Sequence, residues 1–168
     1  MHTKRKKYNE PLPEPELLRS MNIAGVMERN AFCISHRANL LEVLQCMAEN
    51  KISGLPVVDD ENRVQGFIAD GDINYIFQRD SNRAGFASMY PLWQNDKKLE
   101  QKLAELATLN VMECATKRIV AVDINDSMEI LFKVFSEKKI KKVPVLEDGK
   151  LVGIVSRSDL FRRLIKAA

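Results

Sequence analysis

The chain has 168 residues, 45% of them hydrophobic and 29% charged, which is ordinary for a soluble globular protein and long enough to bury one core or two small ones. Its formal charge of +3 rests largely on Lys4, Arg5, Lys6 and Lys7, so the remainder is close to neutral and a nucleic-acid partner is disfavoured. Three scattered cysteines without CxxC spacing, no apolar run after the basic N-terminus and no bilayer-length apolar stretch together point to a reducing, cytoplasmic setting with no membrane, disulfide framework or zinc site.

Residues 1–18 are polar, with Pro11, Pro13 and Pro15 at alternate positions. Such a stretch cannot propagate a helix and has little to bury, so it reads as a flexible tail. Its KRKK run is taken as solvated in preference to a contact with an acidic partner.

Residues 19–77 open with Val26-Met27-Glu28 and give a short apolar strand over 31–35. A helix-period run follows, Leu40, Leu41, Leu44 and Met47, with Asn39 as its expected N-cap. It ends at Lys51-Ile52, ahead of the strand LPVV (55–58), the polar turn DDENR (59–63) and the strand VQGFIA (64–69). A helix is expected from near Asp72. A proline inside a strand must sit at its start or at an edge, because it cannot donate to a ladder.

Residues 78–110 read as an insertion. The aromatic stretch around it includes Met89, Tyr90, Leu92 and Trp93, which cover the molecule's own core or, alternatively, offer a partner surface or a cap over a cleft. Residues 96–110 place Leu99, Leu103 and Leu106 in a helical stripe.

Residues 111–168 repeat the first series. Val111-Met112-Glu113 leads to a strand over 119–123, then to the helical run Met128, Leu131, Phe132 and Phe135 behind Asp126-Ser127. Lys139-Ile140, the strand VPVL (143–146), the turn EDGK (147–150), the strand LVGIVS (151–156) and a helix from near Asp159 complete it. Each copy is thus strand, helix, strand, strand, helix, an open unit whose apolar face calls for packing against the other.

The closing phrase occurs twice, GFIADGD (Gly66 to Asp72) and GIVSRSD (Gly153 to Asp159). Ser156 stands just before a helix N-terminus, where its hydroxyl could donate to a phosphate, and Asp159 could accept from the two hydroxyls of a ribose. By spacing alone, simple helix capping is the better reading. No catalytic set is assembled: His36 and Cys33 have nothing to orient them, the Asp59-Asp60-Glu61 turn lacks calcium-loop spacing, and there is no phosphate-binding GxxxxGK[ST].

The ordered set found twice (the VM opening, the helix ending in basic-Ile, LPVV and VPVL, and the closing glycine-to-aspartate phrase) resembles a tandem of CBS (cystathionine-β-synthase-type) domains, a Bateman module. The resemblance implies an α/β (α+β) fold, with two repeats packed in pseudo-two-fold symmetry and a partly helical insertion between them. It implies a non-enzymatic regulatory module that binds an adenine nucleotide (AMP, ADP or ATP) or S-adenosylmethionine in the inter-repeat cleft, without a metal. A homodimer acting on a separate protein partner is also implied. Carried over by position, the second copy offers Ile119, Val120 and Ala121 as wall, Val143 and Pro144 beside the base, Lys141 and Lys142 near phosphate, and Ser156 and Asp159 for phosphate and ribose. The first copy offers Cys33, Leu55, Pro56 and Asp72, but has Ala69 for the serine, Ser53 and Gly54 for the lysines, and the repelling Asp70. One dominant site centred on the second copy is therefore expected. The alternative is a scaffold without ligand, acting through residues 75–110.

Overall fold

The computed structural model describes residues 21–79 and 95–166. Within them lie six α-helices and two three-stranded sheets. The first series runs α1 (Ile23–Val26), β1 (Ile34–Ser35), α2 (Leu40–Asn50), β2 (Gly54–Val58), β3 (Val64–Ala69) and α3 (Asp70–Arg79). Helix α4 (Asp96–Thr108) and a 3₁₀ turn (Val111–Glu113) lead into β4 (Val122–Asp123), α5 (Met128–Lys138), β5 (Lys142–Glu147), β6 (Lys150–Ser156) and α6 (Arg157–Lys166). In each sheet the middle strand pairs parallel to the two-residue strand and antiparallel to the last one. The α/β repeat architecture expected from the sequence is therefore present.

Local chemistry accounts for the helix boundaries. Asn39 and Glu42 form a reciprocal capping box at α2, and Ser127, with Asp126 bonded instead to the Asp123 amide, caps α5. Both helices stop at a lysine in the left-handed region, Lys51 at φ 52° and Lys139 at φ 53°, which turns the chain so that the following isoleucine packs inward. The core faces are Leu40, Val43 and Met47 on α2, and Leu131 and Phe135 on α5. Phe132, counted in the second stripe from sequence, is exposed.

The prolines explain why the first strand of each copy is much shorter than its apolar run. Ile34 pairs with Val57 and Val122 with Val145, so the next rungs would fall on Pro56 and Pro144. Neither proline has an N–H to donate, so the parallel ladder stops there and residues 31–33 and 119–121 lie outside it. Both prolines stand in central strands, at the stretch that has no parallel neighbour.

A constant offset of 88 residues relates the copies from Ile34 and Val122 to Val57 and Val145. The same offset pairs the N-cap asparagines, Asn22 of α1 and Asn110 of the 3₁₀ turn. The two VME triplets, at 26–28 and 111–113, are thus not equivalent positions. Ile23 corresponds to Val111, and Glu28 to Thr116.

These opening segments cross over. Glu28 pairs with Ile154 of β6 through bonds of 2.8 and 3.0 Å, and Thr116 pairs with Phe67 of β3 through bonds of 2.9 and 3.0 Å. Ile23, Val26 and Met27 are buried in one core with Val122, Leu131, Val143, Val145 and Leu160, while Val111 and Ala115 are buried in the other with Leu40, Leu55 and Ile68. Leu106 of α4 joins that same core. Leu99 and Leu103 of the predicted stripe are each 37% exposed, and Lys102 is buried instead, over the Phe77 ring and 2.9 Å from Glu105. Met89, Tyr90, Leu92 and Trp93 lie outside the described residues.

The repeated glycines sit under the crossing segments. A Cβ on Gly153 would stand 2.8 Å from the Met27 sulfur and 2.9 Å from the Glu28 carbonyl oxygen; on Gly66 it would stand 3.2 Å from the Ala115 Cβ.

Candidate functional site

A cleft of about 420 Å³ opens between the repeats. One wall is the end of β3 and the start of α3, namely Phe67, Ala69, Asp70, Gly71 and Asp72, with Ser53 beside them. The other is the crossing segment of the second repeat, Thr116, Arg118, Ile119 and Val120, with Ile140, Lys141, Lys142 and Pro144. Its position follows from the fold: the proline-terminated ladder leaves 119–121 unpaired as strand, and the crossover carries that segment to the first repeat. The lining combines apolar side chains, three cations and two carboxylates.

Where β3 passes into α3 the amides of Ala69, Asp70 and Gly71 are engaged. Asp72 Oδ2 accepts from the Ala69 amide at 2.8 Å, Asp70 Oδ1 accepts from the Gly71 amide at 2.8 Å, and the Asp70 amide donates to the Ser53 carbonyl at 3.0 Å. Opposite, Lys142 Nζ lies 3.4 Å from the Gly54 carbonyl oxygen, a long contact. Among the described residues none of Arg118, Lys141 and Lys142 makes an ion pair.

At α6 the equivalent residues are bonded to one another. Ser156, only 6% exposed, is held between the Asp159 amide at 3.0 Å, the Ser158 hydroxyl at 2.9 Å and Asp159 Oδ2, to which it donates. Asp159 Oδ1 accepts from Arg162 Nη1 at 2.9 Å. Both oxygens of Asp159 thus have partners in its own repeat, Ser156 at the end of β6 and Arg162 on α6.

Grouping by copy is therefore not grouping in space. Of the residues singled out from sequence, Ile119, Val120, Lys141, Lys142, Pro144 and Asp72 line this cleft, whereas Ser156 and Asp159 do not. Val143 and Leu55 are fully buried in the cores, Pro56 is buried, and Ala121 and Cys33 lie outside the lining. The lysine pair thus lines the cleft with Asp72 of the first copy, although its backbone pairs with Ser156 and Arg157 of its own. Thr116, Arg118, Phe67 and Ile140 were not picked out from sequence. Once the 88-residue offset is recognised, Arg118 and Thr116 become visible as the counterparts of Asn30 and Glu28.

Elsewhere the ionisable groups serve the fold. Asp59 accepts from the Arg63 amide at 2.8 Å, the Gln65 side chain at 2.7 Å and the Glu61 amide at 3.0 Å, and these bonds, that of Arg63 foremost, hold its carboxyl below the usual range. Cys33 is exposed as a residue, yet partial desolvation of its thiol, with Cys46 as the lesser cause, pushes its pKa up. His36 Nδ1 lies 3.3 Å from the Val58 carbonyl, anchoring the turn after β1. Among the described residues no three His, Cys, Asp or Glu side chains converge as metal ligands, and no helix is long and apolar enough to cross a membrane.

The CBS domain family model matches residues 23–78 and 111–166. CBSX1 of Arabidopsis thaliana, a chloroplastic CBS domain-containing protein, is 27% identical over 130 residues, which are 74% of this chain and 55% of that protein. Hypoxic response protein 1 of Mycobacterium tuberculosis is 27% identical over 139 residues, 83% of this chain and 82% of that one. A crystal structure of hypoxic response protein I with two coordinated zinc ions superposes with a TM-score of 0.63 at 27% identity, over 84% of this chain and 98% of that one. The structure of CBSX2 in complex with AMP gives 0.63 at 22% identity, over 83% and 92%. With both repeats matched and the pair architecture shared, this chain belongs to the CBS domain family, as a tandem pair of the Bateman type.

Proposed function

We propose that this chain is a non-catalytic regulatory module whose inter-repeat cleft binds an adenine nucleotide. The observation that carries the reading is the meeting, in one cleft, of Asp72 from one repeat with Arg118, Lys141 and Lys142 from the other across an apolar lining. A carboxylate has about four acceptor sites, and Asp72 spends one oxygen on the Ala69 amide, so capacity remains for ribose hydroxyls. Phe67, Ile119, Val120, Ile140 and Pro144 suit the faces of a base. The cations suit phosphate, acting mainly as point charges. CBSX2, which shares the fold, has been crystallised with AMP, and this supports the ligand class.

Under this reading Asp72 takes the ribose, and Ser156 and Asp159 cap α6. Binding regulates by favouring one arrangement of the repeats, since a ligand shifts only states that it binds unequally. The module works in a reducing compartment such as the cytoplasm, as a homodimer joined through Ile130 and Phe132 of α5 and Phe161 and Ile165 of α6, which are 43 to 61% exposed, and it acts on a separate protein.

A thermal-shift titration with AMP tests the proposal. At about 100 times its dissociation constant AMP stabilises the wild type by roughly 2.7 kcal/mol, a shift of several degrees. Asp72→Ala abolishes it. An unchanged wild-type transition at saturating AMP, ADP and ATP would sink the reading.

A further inference from the structure

We infer that this cleft takes a nucleoside polyphosphate in preference to a monophosphate, with Arg118, Lys141 and Lys142 holding the phosphate chain; the inference rests on the adenine-nucleotide reading of the same cleft. Three observations lead to it.

The first concerns where an anion can go. The N-terminus of a helix ordinarily offers a phosphate its unpaired amides. At α3 the amides of Ala69 and Gly71 are already taken by Asp72 and Asp70, at 2.8 Å each. The two carboxylates also repel a phosphate from that wall. The phosphates are therefore directed to the opposite wall.

The second concerns what waits there. Arg118 comes from the crossing segment and Lys141-Lys142 from the start of β5, so the cations belong to two separate stretches of backbone. None of them makes an ion pair among the described residues, and Lys142 has only the 3.4 Å contact to Gly54. A chain of two or three phosphates offers anionic oxygens to both stretches at once, with more charge than a single phosphate carries. Each added phosphate also adds charge to a lining of three cations and two carboxylates.

The third is the contrast between the copies. At the 88-residue offset the counterparts of Arg118, Lys141 and Lys142 are Asn30, Ser53 and Gly54, all uncharged. The repeat pattern thus does not require cations at these three positions, and the second copy has one at every one of them.

Isothermal titration of the full chain with adenosine, AMP and ATP, in EDTA to exclude magnesium, tests this. ATP should bind at least about tenfold more tightly than AMP, equivalent to 1.4 kcal/mol, and its affinity should fall more steeply with salt. The double variant Lys141→Gln/Lys142→Gln should bring ATP to within about threefold of AMP while leaving adenosine binding unchanged; Arg118→Gln, assayed separately, should remove part of the preference. AMP and ATP binding equally to the wild type, or a preference that survives all these substitutions, overturns the polyphosphate assignment while the adenine-nucleotide reading stands. If none of the three ligands binds, both fall together.

Discussion

At the scale of single residues, the repeated closing phrase separates into parts with different causes. Its glycine is set by packing: Gly153 lies beneath Met27 and Glu28, and a Cβ there would meet a backbone oxygen at 2.9 Å, closer than real contacts allow. Gly153→Ala should therefore destabilise the protein by about 1–3 kcal/mol, the usual cost of overpacking, while Gly66→Ala costs less because its nearest neighbour is a methyl group at 3.2 Å. Urea denaturation of both variants checks this, and equal midpoints would show that Met27 yields freely. The phrase's aspartate accepts a bond at the start of the closing helix in both copies, by the amide of Ala69 for Asp72 and by the hydroxyl of Ser156 for Asp159. Ala69 and Ser156 each engage Oδ2 of that carboxylate, and it is Arg162 that spends the other oxygen in the second copy. In the second copy serine and Arg162 take both oxygens; in the first only Oδ2 has a partner among the described residues.

At the scale of elements, most of the fold is legible in the sequence because it is written in local terms. Asn39 with Glu42, and Ser127, announce their helices, and the alternation of β3 and β6 shows in their burial patterns. The first strands are overestimated, since the apolar runs at 31–35 and 119–123 carry no sign that their partners are prolines; that limit belongs to a pairing between distant residues. The stripe of α4 is misjudged for a related reason. Leucine count favours Leu99 and Leu103, but the face that meets the core is Lys102 and Leu106, with the lysine's ammonium group met by Glu105 and by the face of the Phe77 ring. Of the cleft lining, Asp72, Lys141, Lys142, Ile119, Val120 and Pro144 are positions that the family pattern implies, divided there between the two copies. Arg118 was missed because the two VME triplets suggest a register three residues away from the structural one.

At the scale of the whole molecule, the crossing segments make the repeats mutually dependent. Ile23, Val26 and Met27 are at most 3% exposed and belong to the core of the second sheet, so neither copy is a closed unit in its own sequence interval. A chain beginning at residue 30 loses these side chains, each contributing roughly 1.5–3 kcal/mol of burial, together about the stability of a small domain. It should unfold at a far lower urea concentration than the full chain or fail to fold; an unchanged midpoint would contradict the interleaved core. The same crossover helps make one cleft from two copies, bringing Arg118 of the second to the wall that faces the aspartate of the first. The most direct measurement of that central claim is a crystal structure of the chain grown with AMP. The ribose hydroxyls should lie on Asp72, with the phosphate toward Arg118, Lys141 and Lys142. A ribose on Asp159, with phosphate at Ser156, would contradict it.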